Sequence, residues 1–211
     1  MNSTIPFRKP RAFTFVELMV IIAVIGVIIL LLLPALIKNK SRSQRIECVN
    51  HLKQIGVSLR VWSDEHNSVY PSEVSTNLGG VKEYLATENI APYFLCMTNK
   101  LFSPKILVCP ADTREPAADM AQLKNSNISY FVGLDASESM PQMFLTGDRN
   151  LAINSKPVKP GLVTIKSNDI VSWTSEMHDG FGNVAVADGS VQQLHQINGP
   201  MGTNAYRLAV P

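Results

Sequence analysis

The sequence predicts an α+β chain in which a long N-terminal helix packs, through its second half, on an antiparallel sheet built from the C-terminal part. Three features predict it. Residues 18–33 read LMVIIAVIGVIILLLL, an unbroken apolar run. Apolar residues then recur at helical spacing from Cys48 to Trp62. After residue 128 short β-rich segments dominate, and the last two flank Asp188-Gly189.

The apolar run comes first. From Val16 to Ile37 Glu17 alone is charged, and Lys38 and Lys40 close the stretch. A helix over these residues reaches about 33 Å at roughly 1.5 Å per residue, enough to cross a hydrocarbon core. Arg8, Lys9 and Arg11 precede it. Positive flanks stay cytoplasmic, which places the N-terminus inside and the chain beyond Lys38 outside. The run is longer than the core of a secretory signal, and Leu33 two positions before Ala35 breaks the small-x-small cleavage pattern.

The helix is expected to continue past the membrane. Cys48, Leu52, Ile55, Leu59 and Trp62 are spaced four, three, four and three apart, with Val49 and Gly56 widening the stripe. Arg45, Glu47, Asn50, Lys53 and Arg60 fill the opposite face, which makes the segment amphipathic. Tyr70-Pro71 ends it at the latest, since the residue before proline is pushed out of the helical region. One helix over about 14–66 follows, with Pro34 as a place for a kink. Between 71 and 127 a short helix is expected at Val81–Ala86, apolar stretches stand at Ala91–Leu95 and Lys105–Cys109, and Asp112–Asn127 reads as a loop with a turn of helix at Ala117–Leu123. Strands are predicted at Ile128–Val132, Met143–Thr146, Leu162–Ile165, Ile170–Trp173, Val184–Ala187 and Val191–Leu194. Asp188-Gly189 between the last two signals a two-residue hairpin whose turn positions both need positive φ.

Composition limits the function classes. The 211 residues are 45% hydrophobic and 17% charged, so the chain is neither disordered by composition nor a charged coiled coil. A net charge of +2 gives no electrostatic footprint for nucleic acid. Three cysteines are too few for a disulfide scaffold.

The segment Arg11-Ala12-Phe13-Thr14-Phe15-Val16-Glu17-Leu18, set before the apolar run, resembles the prepilin signal of type IV pilins and of type II secretion pseudopilins. The resemblance implies cleavage by a prepilin peptidase between Ala12 and Phe13 and N-methylation of Phe13. Glu17 then stands at the fifth mature position and Pro34 at the twenty-second. Ala12 occupies the place where that family usually has glycine. The implied organisation is a cytoplasmic leader at 1–12, a transmembrane helix at 13–37, an amphipathic continuation at 38–67 and a periplasmic α+β domain at 68–211. The implied setting is the inner membrane, crossed once. The implied partners are the peptidase and other pilin-like subunits, met through the N-terminal helix, with Glu17 as the assembly residue.

A second resemblance lies near the C-terminus. His178 is followed after nine residues by Asp188-Gly189, similar to the C-terminal signature of a large bacterial family of pilin-like proteins. Cys48-Val49-Asn50-His51-Leu52-Lys53-Gln54-Ile55-Gly56 and Cys109-Pro110-Ala111-Asp112 resemble the same family.

His178 with Asp179 and Asp188 could do acid–base work or bind a metal. The plainer expectation is that Asp188 makes the turn and His178 starts a strand by bonding nearby backbone. His51, His66 and His195 show no ligand spacing. Calcium, held by Asp135 with Glu138 or by Asp148 with carbonyls, has no recognisable loop here, so no metal or cofactor is expected. Among Cys48, Cys96 and Cys109 an oxidising periplasm permits one disulfide, and the pairing is open: Cys96–Cys109 would close a local loop, Cys48–Cys109 would staple the helix to the domain, and the alternative is that all three are buried as small apolar residues. The expected function is structural, a pilin-like subunit of a type II secretion pseudopilus or a type IV-like pilus, and not an enzyme. The alternative is a membrane-tethered periplasmic binding or catalytic domain that uses the signal for targeting only.

Overall fold

The computed structural model describes residues 14–199 and 205–211, and among these all side chains but those of 32–39 and Ala86. Helix α1 runs from Phe15 to Asp64. The chain divides into two compact units, Met1–Lys40 and Ser41–Pro211.

In the first unit every large apolar side chain described from Phe15 to Leu31 is at least 42% exposed, on all sides of the helix. Apolar exposure on all sides of a helix is the pattern of one that is covered by lipid or by other helices. Among the described residues no helix is long and apolar enough to cross a membrane. The apolar run of the sequence goes on through residues whose side chains lie outside the described ones.

In the second unit the predicted stripe is buried: Cys48, Leu52, Ile55 and Leu59 are fully enclosed and Trp62 nearly so. The helix stops before the proline. Asn67 and Ser68 take left-handed conformations (φ 59° and 61°), and the Ser68 N–H closes back on the Ser63 carbonyl at 2.9 Å. The expected helix at Val81–Ala86 is a 3₁₀ turn at Tyr84–Thr87, and Ala91–Leu95 is a short helix, α2. Further 3₁₀ turns lie at Pro104–Leu107, Met120–Gln122 and Asn125–Asn127.

Ten strands follow: β1 Tyr130–Gly133, β2 Phe144–Asp148, β3 Leu151–Ile153, β4 Lys156–Pro157, β5 Gly161–Lys166, β6 Ile170–Trp173, β7 Gly182–Val186, β8 Val191–Leu194, β9 Gln196–Asn198 and β10 Ala205–Val210. They form two antiparallel sheets instead of the one expected, in the orders β5-β10-β1-β2-β7-β8 and β4-β3-β6-β9. The six predicted strands are present, while β3, β4, β9 and β10 were not foreseen. Successive residues of the larger sheet serve two cores. Tyr130, Val132, Leu145, Ala185 and Ala209 pack with Leu52, Ile55 and Leu59 of α1. Phe131, Phe144, Val184, Val186, Tyr206 and Leu208 pack with Leu151, Val171 and Trp173 of the smaller sheet. The larger sheet is thus covered on both faces, and its central strands β1, β2 and β7 are buried throughout. Gly56 lets α1 lie close to β7, where an added Cβ would stand 3.9 Å from that of Ala185.

Candidate functional sites

Thr14 is the N-cap of α1. Its N–H and hydroxyl donate to Glu17 Oε2 at 2.9 and 2.8 Å, and the Glu17 N–H donates to Thr14 Oγ1 at 3.3 Å. This is a capping box, in which N-cap and third helical residue satisfy each other's backbone donors. Sequence reasoning missed this role of Glu17, although Thr14-x-x-Glu17 is the motif's signature. The carboxylate therefore sits against the amide of residue 14, one residue from the proposed mature N-terminus. Ala12 and Phe13 themselves lie outside the described residues.

The second site is built by four distant segments. Cys48 comes from α1, Cys109 from the stretch after the Pro104–Leu107 turn, Asp148 from the end of β2 and His178 from the β6–β7 connection. All four are 0–3% exposed. The Cys48 thiol donates to Asp148 Oδ1 at 3.1 Å, Cys109 Sγ lies 3.2 Å from His178 Nε2, and that nitrogen lies 3.6 Å from Asp148 Oδ2. One potential ligand atom from each residue falls within 4.8 Å of all the others, and among the described residues no other group of three or more His, Cys, Asp or Glu converges this way.

Local structure explains the aim of each side chain. Asp179 and Gly180 both have positive φ (55° and 81°), which turns the chain back directly after His178. Arg45 on α1 donates to the His178 carbonyl at 2.9 Å and pins that turn. The imidazole consequently points into the core, and the expectation that His178 bonds nearby backbone as a strand starter is corrected. Asp148 is held by Asn183, whose N–H and Nδ2 donate to Oδ2 at 2.7 and 2.9 Å. Trp173 Nε1 donates to the Asp148 carbonyl at 3.3 Å.

Burial shifts these groups. It pushes the Asp148 carboxyl up against the opposing pull of His178 and Asn183. Burial works to lower His178, but Cys109 and Asp148 outweigh it and hold the imidazole above its ordinary value. Burial, first, raises the Cys48 thiol, while hydrogen bonding to Cys48 and then to His178 draws Cys109 down. A closed set of two thiols, an imidazole and a carboxylate can hold a metal ion or share protons. It offers no opening for a substrate.

The remaining expected residues lie elsewhere. Asp188 and Gly189 join β7 to β8, but only Gly189 has positive φ (87°). The Gly189 N–H bonds the Val186 carbonyl at 2.9 Å and the Val186 N–H bonds the Ser190 carbonyl at 3.0 Å. The connection is thus a turn through Ala187-Asp188 closed by a left-handed glycine, not the predicted turn with two positive φ values. Asp188 Oδ1 accepts from the Ser190 N–H at 2.7 Å, which holds its carboxyl below the usual range. Cys48, Cys96 and Cys109 are free thiols, and Cys96 stands apart, donating to the Tyr93 carbonyl at 3.1 Å. Of the calcium candidates, Asp135 is paired with Arg207 and Glu138 accepts from Ser63 Oγ at 3.0 Å.

A family model described as the prokaryotic N-terminal methylation motif matches residues 7–33. The match takes in Arg8, Lys9, Arg11, the Ala12–Phe13 bond, Glu17 and most of the apolar run. The chain therefore carries a prepilin-like signal ahead of an α+β domain. No curated protein and no solved structure matches the chain.

Proposed function

We propose that this chain is a structural pilin-like subunit, anchored once in the inner membrane and assembled through its N-terminal helix into a type II secretion pseudopilus or a type IV-like pilus. The observation that carries this reading is the match of the methylation motif to residues 7–33, a span that takes in Ala12, Phe13 and Glu17. A prepilin peptidase cuts between Ala12 and Phe13 on the cytoplasmic side, and Phe13 is N-methylated. Segment 13–37 holds the chain in the membrane, and the domain beyond it stands in the periplasm. The exposed apolar surface from Phe15 to Leu31 supports a helix that exchanges lipid for neighbouring helices on assembly. In that bundle a lone carboxylate is costly, and the Phe13 amine of an adjacent subunit offsets the cost. Glu17 then sets the register between subunits. The chain is a substrate of the peptidase and not itself an enzyme, a reading supported by the enclosure of the Cys48-Cys109-Asp148-His178 cluster, the one such group among the described residues. Intact-mass measurement and N-terminal sequencing of the native protein test the proposal. A chain beginning at N-methyl-Phe13 supports it; one that still carries Arg8, or begins after Ala35, overturns it.

A further inference from the structure

The structure assigns Cys48, Cys109, Asp148 and His178 as a structural zinc centre that ties helix α1 to the sheet. Three observations carry the assignment: the donor set, its geometry and its enclosure.

Two thiolates, one imidazole nitrogen and one carboxylate oxygen make a four-donor set suited to Zn²⁺, which takes sulfur and nitrogen ligands in tetrahedral sites. Hard cations such as Ca²⁺ and Mg²⁺ select oxygen and pass over such a set. With Zn–S near 2.3 Å and Zn–N or Zn–O near 2.0–2.1 Å, the edges of the tetrahedron span roughly 3.3–3.8 Å. Cys48 Sγ lies 3.1 Å from Asp148 Oδ1 and Cys109 Sγ 3.2 Å from His178 Nε2, both just below that range, while all four ligand atoms stay within 4.8 Å of one another; the close pairs spread by a few tenths of an ångström and the widest closes by about one ångström to reach the tetrahedron. All four residues are enclosed, as in structural sites, which keep no open coordination position. Asn183 occupies Asp148 Oδ2 with two donors and leaves Oδ1, the oxygen beside Cys48, to serve as the ligand. This is the outer-shell support that orients metal-bound carboxylates.

On binding, Zn²⁺ replaces the protons that these groups share. Both thiols release theirs to solvent, Nε2 presents its lone pair, and the dication offsets the buried negative charge. Because the ligands come from four segments, the ion fastens α1 to β2 and to the β6–β7 connection. The three segments that resemble the pilin-like family near Cys48, Cys109 and His178 each deliver one ligand. The assignment is independent of filament assembly.

The test uses the full chain purified in detergent without chelator. Elemental analysis should give about one zinc per chain in the unaltered protein and in Cys96→Ser, and a loss of most of it in Cys109→Ser and His178→Ala. Cobalt exchanged into the unaltered protein should give thiolate-to-metal charge-transfer absorption, and X-ray absorption should show a mixed shell of sulfur and lighter atoms; both work even if the variants fail to fold. Three results overturn the assignment: protein that holds no zinc and takes up no cobalt, zinc content indifferent to Cys109→Ser and His178→Ala, or a Cys48–Cys109 disulfide found by peptide mapping of the metal-free native protein.

Discussion

Gly182→Ala tests the packing that holds Asp148 in place. Gly182 opens β7 and is buried against the indole of Trp173. A Cβ built there would lie 2.0 Å from Trp173 Cε2, 2.1 Å from Nε1 and 2.2 Å from Cδ2, so the ring must retreat by about 1.4 Å to reach ordinary contact at 3.4 Å. The ring is nearly enclosed, against Leu151 and Val184, so it cannot swing into solvent without opening the second core. Overpacking of this kind costs about 1–3 kcal/mol. The displaced Nε1 also gives up its bond to the Asp148 carbonyl, worth about 1 kcal/mol. The expected loss of about 2–4 kcal/mol corresponds to a fall in melting temperature of roughly 5–15 °C for a domain of this size. Thermal unfolding of the full chain in detergent, followed by near-ultraviolet circular dichroism, gives the number. A Trp62→Phe background leaves Trp173 as the reporting tryptophan. A Gly182→Ala chain that melts with the parent and keeps its Trp173 signal would refute the close approach and the support it gives to Asp148.

Gly189→Val should destabilise the domain by about 1–2 kcal/mol, read by urea unfolding, because a β-branched residue must adopt the left-handed φ of 87°. Arg149 grips Asp112 through Nε and Nη2, both at 2.8 Å, and despite burial this holds the carboxyl below its usual range. Its stabilisation is complete above the unfolded value of about 4 and is lost as pH falls through the lower folded value. Asp112→Asn should therefore flatten the acid limb of stability against pH relative to the parent, with Arg149 and Arg114 still facing the site. Thr14→Val should weaken the start of α1 by about 0.5–2 kcal/mol of capping energy, read as earlier amide exchange at residues 15–18, without loss of peptidase cleavage. Glu17→Leu should leave insertion and cleavage intact and abolish multimers in a crosslinking and shearing assay beside a cleavage-blocked Ala12→Arg control; normal multimers would show that Glu17 serves the cap alone.

What the sequence made legible follows from the range of each signal. The stripe from Cys48 to Trp62 is a local pattern at helical period, and its burial was readable residue by residue. The hairpin at Gly189 was placed correctly because glycine marks the left-handed position, but the partner position could not be read from Asp188 alone. The β3–β4 turn was missed because Asn154-Ser155, with φ of 50° and 64°, makes a positive-φ turn without the glycine that usually announces it. β10 was missed although Tyr206, Leu208 and Val210 alternate with Arg207; its place depends on partners far along the chain. The cluster around His178 failed for the same reason. Its four ligands lie in segments that no linear spacing rule connects, and Asp148 in particular carries no motif of its own.

β10 pairs on one side with β1, Val132 opposite Ala209, and on the other with β5, Leu162 opposite Ala209. An interior strand of the larger sheet is thus the last of its described strands in chain order. Until it arrives, β1 and β5 each present a bare edge of unpaired backbone groups, and no earlier strand separates them. A chain emerging from its N-terminus can bury the helical stripe and pair β1, β2, β7 and β8 before β10 is made, but β5 can join them only after β10 threads between two strands already made. The consequence is a window of vulnerability during biogenesis. A ribosome that stalls after β9 leaves β5 cut off from the other four strands of the larger sheet, with two sticky margins, and such a product is a natural client for chaperones or a seed for intermolecular β-pairing.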